Sequence, residues 1–421
     1  MATYDLTQTV FLFNFLSNAA SNVSGDAQQL AGFLQMAVTN GGRWYDAKTG
    51  NTLVVNGFIQ NMNAALAGGD WRLEWGPGVF QQDGDEAQNT LFVVYSPSLD
   101  TYVVAMAGTN PHSVYDWLVE DASVGPQDMA VFPVASGPRK PDKVAANQSQ
   151  VQVSHGTAIG IHNLLTGLVD SNGDGLDLKR FLSSLKATSG SRMIFTGHSL
   201  GGALSSTLAL QMYLELKTNW RDNGGAVLAL PTAGPSPGNA TFAGSWGDVF
   251  TPVAVPATNT GNQVTNLNVL VYDTQDVVPH AWDFILSLDS VPTNGQYPNP
   301  DMPSYFYDHA GLIKQTVQTQ LGQLSGLWVK PLWQLVQGAQ DKGTGGYMKR
   351  LPNAAGLTGS FPLTYWSSKK LDWQQWSPPT NNVFDAFAGF GEGLGLVHVW
   401  QYHQFFAIDP QDIVRTIEPA T

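Results

Sequence analysis

The chain has no cysteine in 421 residues. Disulfides, thiolate catalysis and cysteine-ligated metals are therefore excluded, and the redox compartment is left unread. Charge is also scarce: Asp, Glu, Lys and Arg together make up 13%, about half the usual share. Twenty Lys and Arg stand against 33 Asp and Glu, a net charge of -13, and no basic cluster is larger than Arg139-Lys140 with Lys143. Nucleic acid and anionic membrane surfaces are excluded as partners held by charge, whereas an apolar interface is not. No uninterrupted apolar run reaches transmembrane length, which predicts a soluble protein. Val10 to Leu16 is apolar, but Asp5 precedes it and no Lys or Arg occurs before Arg43, so the signal-peptide pattern is not met. Export remains compatible with a mature chain.

What is present is a 43% hydrophobic content, enough for a large core. Leu6 to about Thr39 has mixed helical spacing and predicts two helices packed on the main body. Arg43 to Ala64 reads as strand, turn and helix. Strands follow at Trp71–Trp75, Leu91–Tyr95 and Tyr102–Ala107, the last two joined by the turn Pro97-Ser98-Leu99-Asp100. A helix is expected near Gly156–Leu168, and further strands at Ala226–Ala233 and Leu267–Tyr272. Strands alternating with helices imply a mostly parallel sheet.

The most informative segment is Thr196-Gly197-His198-Ser199-Leu200-Gly201-Gly202, directly behind the apolar run Met193-Ile194-Phe195. It reads as a strand delivering a serine into a sharp turn before a helix, Ala203 to Leu216. A serine on such a strained turn needs neighbours without bulk, and Gly197 and Gly201 supply the room. The helix N-terminus would favour a developing oxyanion. A serine hydroxyl is a poor nucleophile at neutral pH and needs a base oriented by a carboxylate. Asp273 and Asp276 both follow a late strand, and Asp276 is the preferred carboxylate; either could instead merely cap a turn. His280, His309, His398 and His403 all lie downstream, and His398 comes after enough chain to complete a sheet.

These segments resemble the class 3, or fungal-type, triacylglycerol lipases, a family of α/β-hydrolases that also includes some phospholipases A1 and feruloyl esterases. Val103 to Thr109, with Asp116-Trp117-Leu118 and Asp121, is similar to that family's strand, Arg-Gly-Thr/Ser turn and Asp-Trp element. Val153-Ser154-His155-Gly156 looks like its His-Gly helix start. Ala233 to Asn239 with Phe242 resembles its Gly-x-Pro-Arg-x-Gly-Asn segment, Asp276 to Pro279 its Asp-x-Val-Pro, and Tyr307 to Gly311 its Tyr-x-His-x-Gly. The resemblance implies Ser199 as nucleophile, Asp276 as orienting acid, His398 as base, and the N–H groups of Thr109 and Leu200 as oxyanion donors. It gives His309 a supporting role and leaves His403 in reserve. Two departures stand out: Ala107 and Ser236 occupy positions where the family has arginine. The resemblance covers residues 90 to 311 plus the C-terminal histidine.

The fold implied is an α/β-hydrolase domain over residues 1–421, with a mostly parallel central sheet, a helical N-terminal extension over 1–60 and an aromatic-rich insertion or cap over 315–395. The activity implied is that of a serine lipase or carboxylesterase acting on lipid esters at an oil–water interface, without a cofactor. Phospholipase A1 or a feruloyl-type esterase is the rival within the enzymes. A non-catalytic binding protein on the same scaffold is the rival outside them. The chain between Ser123 and Gln152, with the apolar stretch Met129 to Val134, is a lid candidate or a surface loop with one apolar anchor, and Leu321 to Gly395, rich in Trp and Phe, is either a second lid candidate or core. Asp170-Ser171-Asn172-Gly173-Asp174-Gly175 has alternating oxygen ligands, but its twelfth position is Phe181 rather than Glu. Asp170, Asn172 and Asp174 thus form either a structural Ca²⁺ site or a plain turn.

Overall fold

Apolar residues alternating between two faces build the centre of the molecule. The computed structural model describes residues 4–46, 50–82, 86–107, 125, 127–168, 176–258, 260–274, 276, 278–280, 348–359, 364–367, 372–375, 395–414 and 417–419. Among the described residues seven strands form the main sheet: β1 (Arg72–Phe80), β2 (Asn89–Ser96), β3 (Thr101–Ala107), β4 (Arg192–His198), β5 (Ala226–Thr232), β6 (Leu270–Asp273) and β7 (Ala354–Leu357). Their order in space is their order in sequence. β1, β2 and β3 pair antiparallel, and β3 through β7 are parallel. In β3, Val104 and Met106 enter one hydrophobic cluster while Val103 and Ala105 enter another; Phe195 and Ile194 divide likewise in β4, and Ala229 and Leu230 in β5. Both faces are thus buried, as a parallel sheet requires. This is the α/β-hydrolase fold.

One-way strand order has a topological consequence. Right-handed crossovers advancing in a single direction put their helices on the same face. Accordingly α3 (His155–Thr166) and α4 (Leu200–Glu215) share one cluster, so close that a Cβ on Gly160 would lie 2.6 Å from Leu204. The opposite face is covered by chain from outside the crossovers: α1 (Leu6–Leu16), α2 (Ala27–Val38) and α5 (residues 395–405).

The helix α1 is central to that layer. Val10, Phe11, Leu12, Phe13 and Leu16 are all fully buried, the pattern of a helix that is apolar all round. Asp5 and Gln8 form a capping box at its start. Gln8 Nε2 then donates to the Phe406 carbonyl at 2.7 Å, and Phe11 stacks on Phe406 with centroids 4.1 Å apart, which fixes α1 against the end of α5.

Several elements differ from expectation. The single strand expected at Leu267–Tyr272 is broken at Asn268, whose φ of 62° turns the chain and whose side chain bridges Ala229 N and Thr251 O. Asn266–Leu267 pairs with Val253–Ala254 instead. The region after Arg43 holds a hairpin, Gly42–Asp46 with Asn51–Val55, joined by Ile417–Pro419. The stretch 315–395, expected as an insertion or cap, supplies β7, a strand of the main sheet. Its sequence Ala-Ala-Gly-Leu lacks the β-branched residues by which strands are read. A second described part of this stretch, the hairpin Thr364–Ser367 with Asp372–Gln375, rides on α5: Thr364 receives a bond from Gln404, and Trp373 meets Trp400 edge-on. Met129–Val131 pairs with Gln152–Ser154, and Phe132 and Val134 are buried, with Gln211 bonded to both the N–H and the carbonyl of Val134. Met129, Ala130, Phe132 and Val134 anchor the stretch in the core, while Val131 and Pro133 face solvent.

Candidate active site

β4 runs into α4 with a single residue between them. That residue is Ser199, with φ 60° and ψ -128°, a conformation costly for any residue bearing a Cβ. Its neighbours explain how the turn closes. A Cβ on Gly197 would sit 2.2 Å from Gly201 O and 2.8 Å from Met106 O, and one on Gly202 would sit 2.6 Å from Thr232 O. Strand and helix meet here at backbone contact, so glycine is required at both positions. Ser199 N–H donates to Thr232 O of β5 at 3.1 Å, and Ser199 O receives Gly202 N–H at 2.8 Å. Ser199 is partly exposed, while His198 and Leu200 on either side are buried. Leu200 opens α4, a position whose N–H has no acceptor within the helix. Thr109 lies outside the described residues.

The carboxylate stands beyond the end of β6. Asp276 N–H donates to Asp273 O at 3.0 Å, and Asp276 Oδ1 receives Val278 N–H at 3.0 Å, which fixes the plane of the carboxylate. Oδ2 is 2.7 Å from His398 Nδ1. Both side chains are buried, at 1% and 4% exposure, so the contact is nearly free of solvent screening. With Nδ1–H donated to the carboxylate, a neutral His398 carries its lone pair on Nε2. That atom is buried and has no hydrogen-bond partner among the described residues.

Tyr402, one turn later on α5, donates to the same Asp276 Oδ2 at 2.8 Å and accepts Asp273 N–H at 3.0 Å. Burial, then the neighbouring Asp276 and Asp273, push its phenol well above the ordinary 10.0, so it stays a proton donor. Sequence reasoning missed Tyr402. The signal was its spacing: four residues after His398 places both side chains on one helix face.

The other histidines go elsewhere. His403 packs against Phe15, Phe11 and Trp400, bonds Val399 O, and is lowered by burial to about 4. His280 sits edge-on to Tyr272 and within 3.3 Å of Thr274 O. His309 lies outside the described residues. Asp273 is fully buried and shapes the turn before Asp276. Ala107 and Ser236, where the resemblance has arginine, are both buried, and among the described residues Ser236 Oγ has no partner. Asp170, Asn172 and Asp174 lie outside the described residues.

The comparisons with known proteins bear on this geometry. Residues 103–285 match the family model described as Lipase (class 3). That match spans 183 of the 421 residues, and over it the chain is similar to class 3 lipases. The matched segment runs from β3 through Ser199 and Asp276 and ends well before His398. Among solved structures, the fold is similar to that of M37 lipase, at 20% identity over 98% of this chain and 96% of that one, with a TM-score of 0.58. Lower likenesses include the lipase from Rhizopus microsporus var. chinensis, at 15% identity over 66% of this chain and 70% of that one, TM-score 0.35. The Rhizomucor miehei lipase propeptide complex follows at 19% identity over 51% and 52%, TM-score 0.32. No curated protein matches the sequence. Among the described residues no helix is long and apolar enough to cross a membrane.

Proposed function

We propose that the chain is a serine hydrolase of lipid carboxylic esters, with Ser199 as nucleophile, His398 as base and Asp276 as the orienting acid. The observation that carries this reading is the buried Asp276–His398 pair at 2.7 Å, with an unpartnered Nε2, on the helix bonded to the residue before Ser199. In the proposed reaction His398 Nε2 takes the hydroxyl proton of Ser199 as Oγ attacks the ester carbonyl. The oxyanion forms against the N–H groups of Leu200 and Thr109, for which one donor is typically worth about 10²- to 10³-fold in rate. His398 then gives the proton to the leaving alcohol, and water admitted to the acyl-enzyme is activated by the same imidazole. Asp276 orients the imidazole and stabilises the imidazolium. The reaction needs no cofactor. Lipid esters at an oil–water interface are the substrates we propose, in keeping with the low surface charge.

The test is hydrolysis of p-nitrophenyl esters from acetate to palmitate, with and without an emulsified interface, by wild type, Ser199→Ala and His398→Ala. Preference for long chains, a higher rate at the interface and background rates in both variants support the proposal. Cleavage of short esters only would point to an esterase of polar substrates. Absence of any hydrolysis by folded wild type in detergent would favour a binding protein.

A further inference from the structure

The proposed reaction leaves one buried imidazole at the site without a task. His198 precedes the serine, is buried, and has both ring nitrogens bonded. Its Nε2 lies 2.7 Å from the backbone oxygen of His398. A carbonyl oxygen only accepts, so Nε2 bears the proton and Nδ1 the lone pair. Nδ1 then receives the hydroxyl proton of Thr232 at 2.9 Å, and Thr232 Oγ1 in turn accepts from Asn14 Nδ2 of α1 at 3.1 Å. Every member of this chain is buried.

We propose that His198 is a positioning residue that sets the separation of nucleophile and base, joining the residue beside Ser199 to the main chain of His398. The inference rests on the triad reading above. Thr232 couples the two ends: its carbonyl takes the Ser199 N–H at 3.1 Å, and its hydroxyl donates to the ring that holds the base. One residue of β5 therefore registers both the serine and, through His198, the helix α5.

The neutral state of His198 belongs to this arrangement. Its ring centroid is 4.7 Å from that of His398, so a charge on His198 would oppose the imidazolium that forms on the base. Burial and the neighbouring His398 hold it well below the usual 6.5. The other groups against the ring are Tyr402 at 5.0 Å, edge-on, and Phe15 at 5.4 Å. Those aromatic contacts supply the bland alternative, that His198 only fills space between α1 and α5. The two readings part at phenylalanine: a filler is replaced by it, a donor is not.

The experiment uses the full chain with a p-nitrophenyl ester and measures kcat, KM and melting temperature for wild type, His198→Phe, His198→Gln, Thr232→Val and Thr232→Ser. Misplacement of a base by an ångström costs about 10²-fold, so His198→Phe is expected to lose about that much in kcat with KM within about threefold of wild type. Glutamine can place its amide N–H where Nε2–H stood, and His198→Gln is expected to recover to within about tenfold of wild type. Thr232→Val is expected to lose about tenfold in kcat, with Thr232→Ser close to wild type. A folded His198→Phe within about threefold of wild type in kcat, or a folded His198→Gln no better than it, overturns the proposal. Should His198→Phe not fold, equal kcat in Thr232→Val and Thr232→Ser overturns it. Ser199→Ala and His398→Ala run in parallel: activity surviving in either means the triad reading itself has failed, whereas loss in both beside an active His198→Phe removes the positioning role alone.

Discussion

His398 and Tyr402 stand one turn apart on α5 and donate to the same oxygen of Asp276, at 2.7 and 2.8 Å. The carboxylate is therefore clamped by a single helix face. A hydrogen bond to a charged group is worth about 1.5–3 kcal/mol, so Tyr402→Phe, which removes the hydroxyl and little else, is expected to lower kcat about 10- to 100-fold. KM should stay near wild type. Steady-state kinetics on the purified variant check this, and an unchanged kcat would show that Asp276 is held well enough by Val278 N–H and His398.

Acid should weaken the fold through its buried histidines. His403 is lowered to about 4 from 6.5 by burial, and His198 is shifted the same way. The folded state thus binds protons less readily than the unfolded one. The associated stability is fully present above 6.5 and drains away as pH falls towards 4, with about 3 kcal/mol from His403 alone. Thermal melts from pH 7.5 to 4 should show the decline. His403→Phe, with nothing left to titrate there, should show a shallower one; the same slope in both would mean that His403 is not the titrating group.

Gly202 faces the backbone of β5, with Thr232 O 2.6 Å from the place a Cβ would take. Gly234 N and Cα follow at 2.9 and 2.7 Å, so every near atom is backbone and none is the end of a flexible side chain. Gly202→Ala is expected to destabilise by at least about 1–3 kcal/mol, and to reduce reaction with a serine-directed phosphonate by displacing α4 from β5. Melting temperature and labelling rate are the two readouts. An alanine variant that melts and labels like wild type would mean that the helix can recede without cost.

Phe13 is fully buried on α1, against Trp71 at 5.1 Å and Phe58 at 5.8 Å. Truncation to alanine leaves a cavity beneath the sheet and should cost about 3–5 kcal/mol. Denaturant unfolding of Phe13→Ala measures it. A loss below about 1 kcal/mol would place α1 outside the cooperative core.

The parts of this architecture legible in sequence are those where backbone geometry restricts residue choice. The strand–Ser–helix junction is one: Gly197, read as leaving room, has Gly201 O 2.2 Å from the place of a Cβ, although the second close approach, 2.6 Å from Thr232 O, falls at Gly202 rather than Gly201. The hairpin from β2 to β3 is another, with Asp100 at φ 43° in its turn. Asp276 and His398 are 122 positions apart, and no local pattern links them; resemblance paired them, and they stand 2.7 Å apart. What sequence did not disclose was decided by tertiary context. β7 is a strand because β6 offers it an edge, not because Ala-Ala-Gly-Leu favours one, and Asn268 breaks a run of apolar residues because its amide is needed by Ala229 and Thr251. His198 was visible only as the variable residue of a motif, and its bond to His398 spans 200 positions.

The contact between Gln8 and Phe406 closes a loop of 398 positions, and nearly everything else lies inside it. A nascent chain stopped before residue 395 already possesses Ser199, the strained turn and the carboxylate, yet it lacks both the imidazole and the layer that α5 completes with α1. On the proposed reading the nucleophile is made long before its base. Synthesis from one end thus brings the proposed base and the closure of the second layer together, with the same helix.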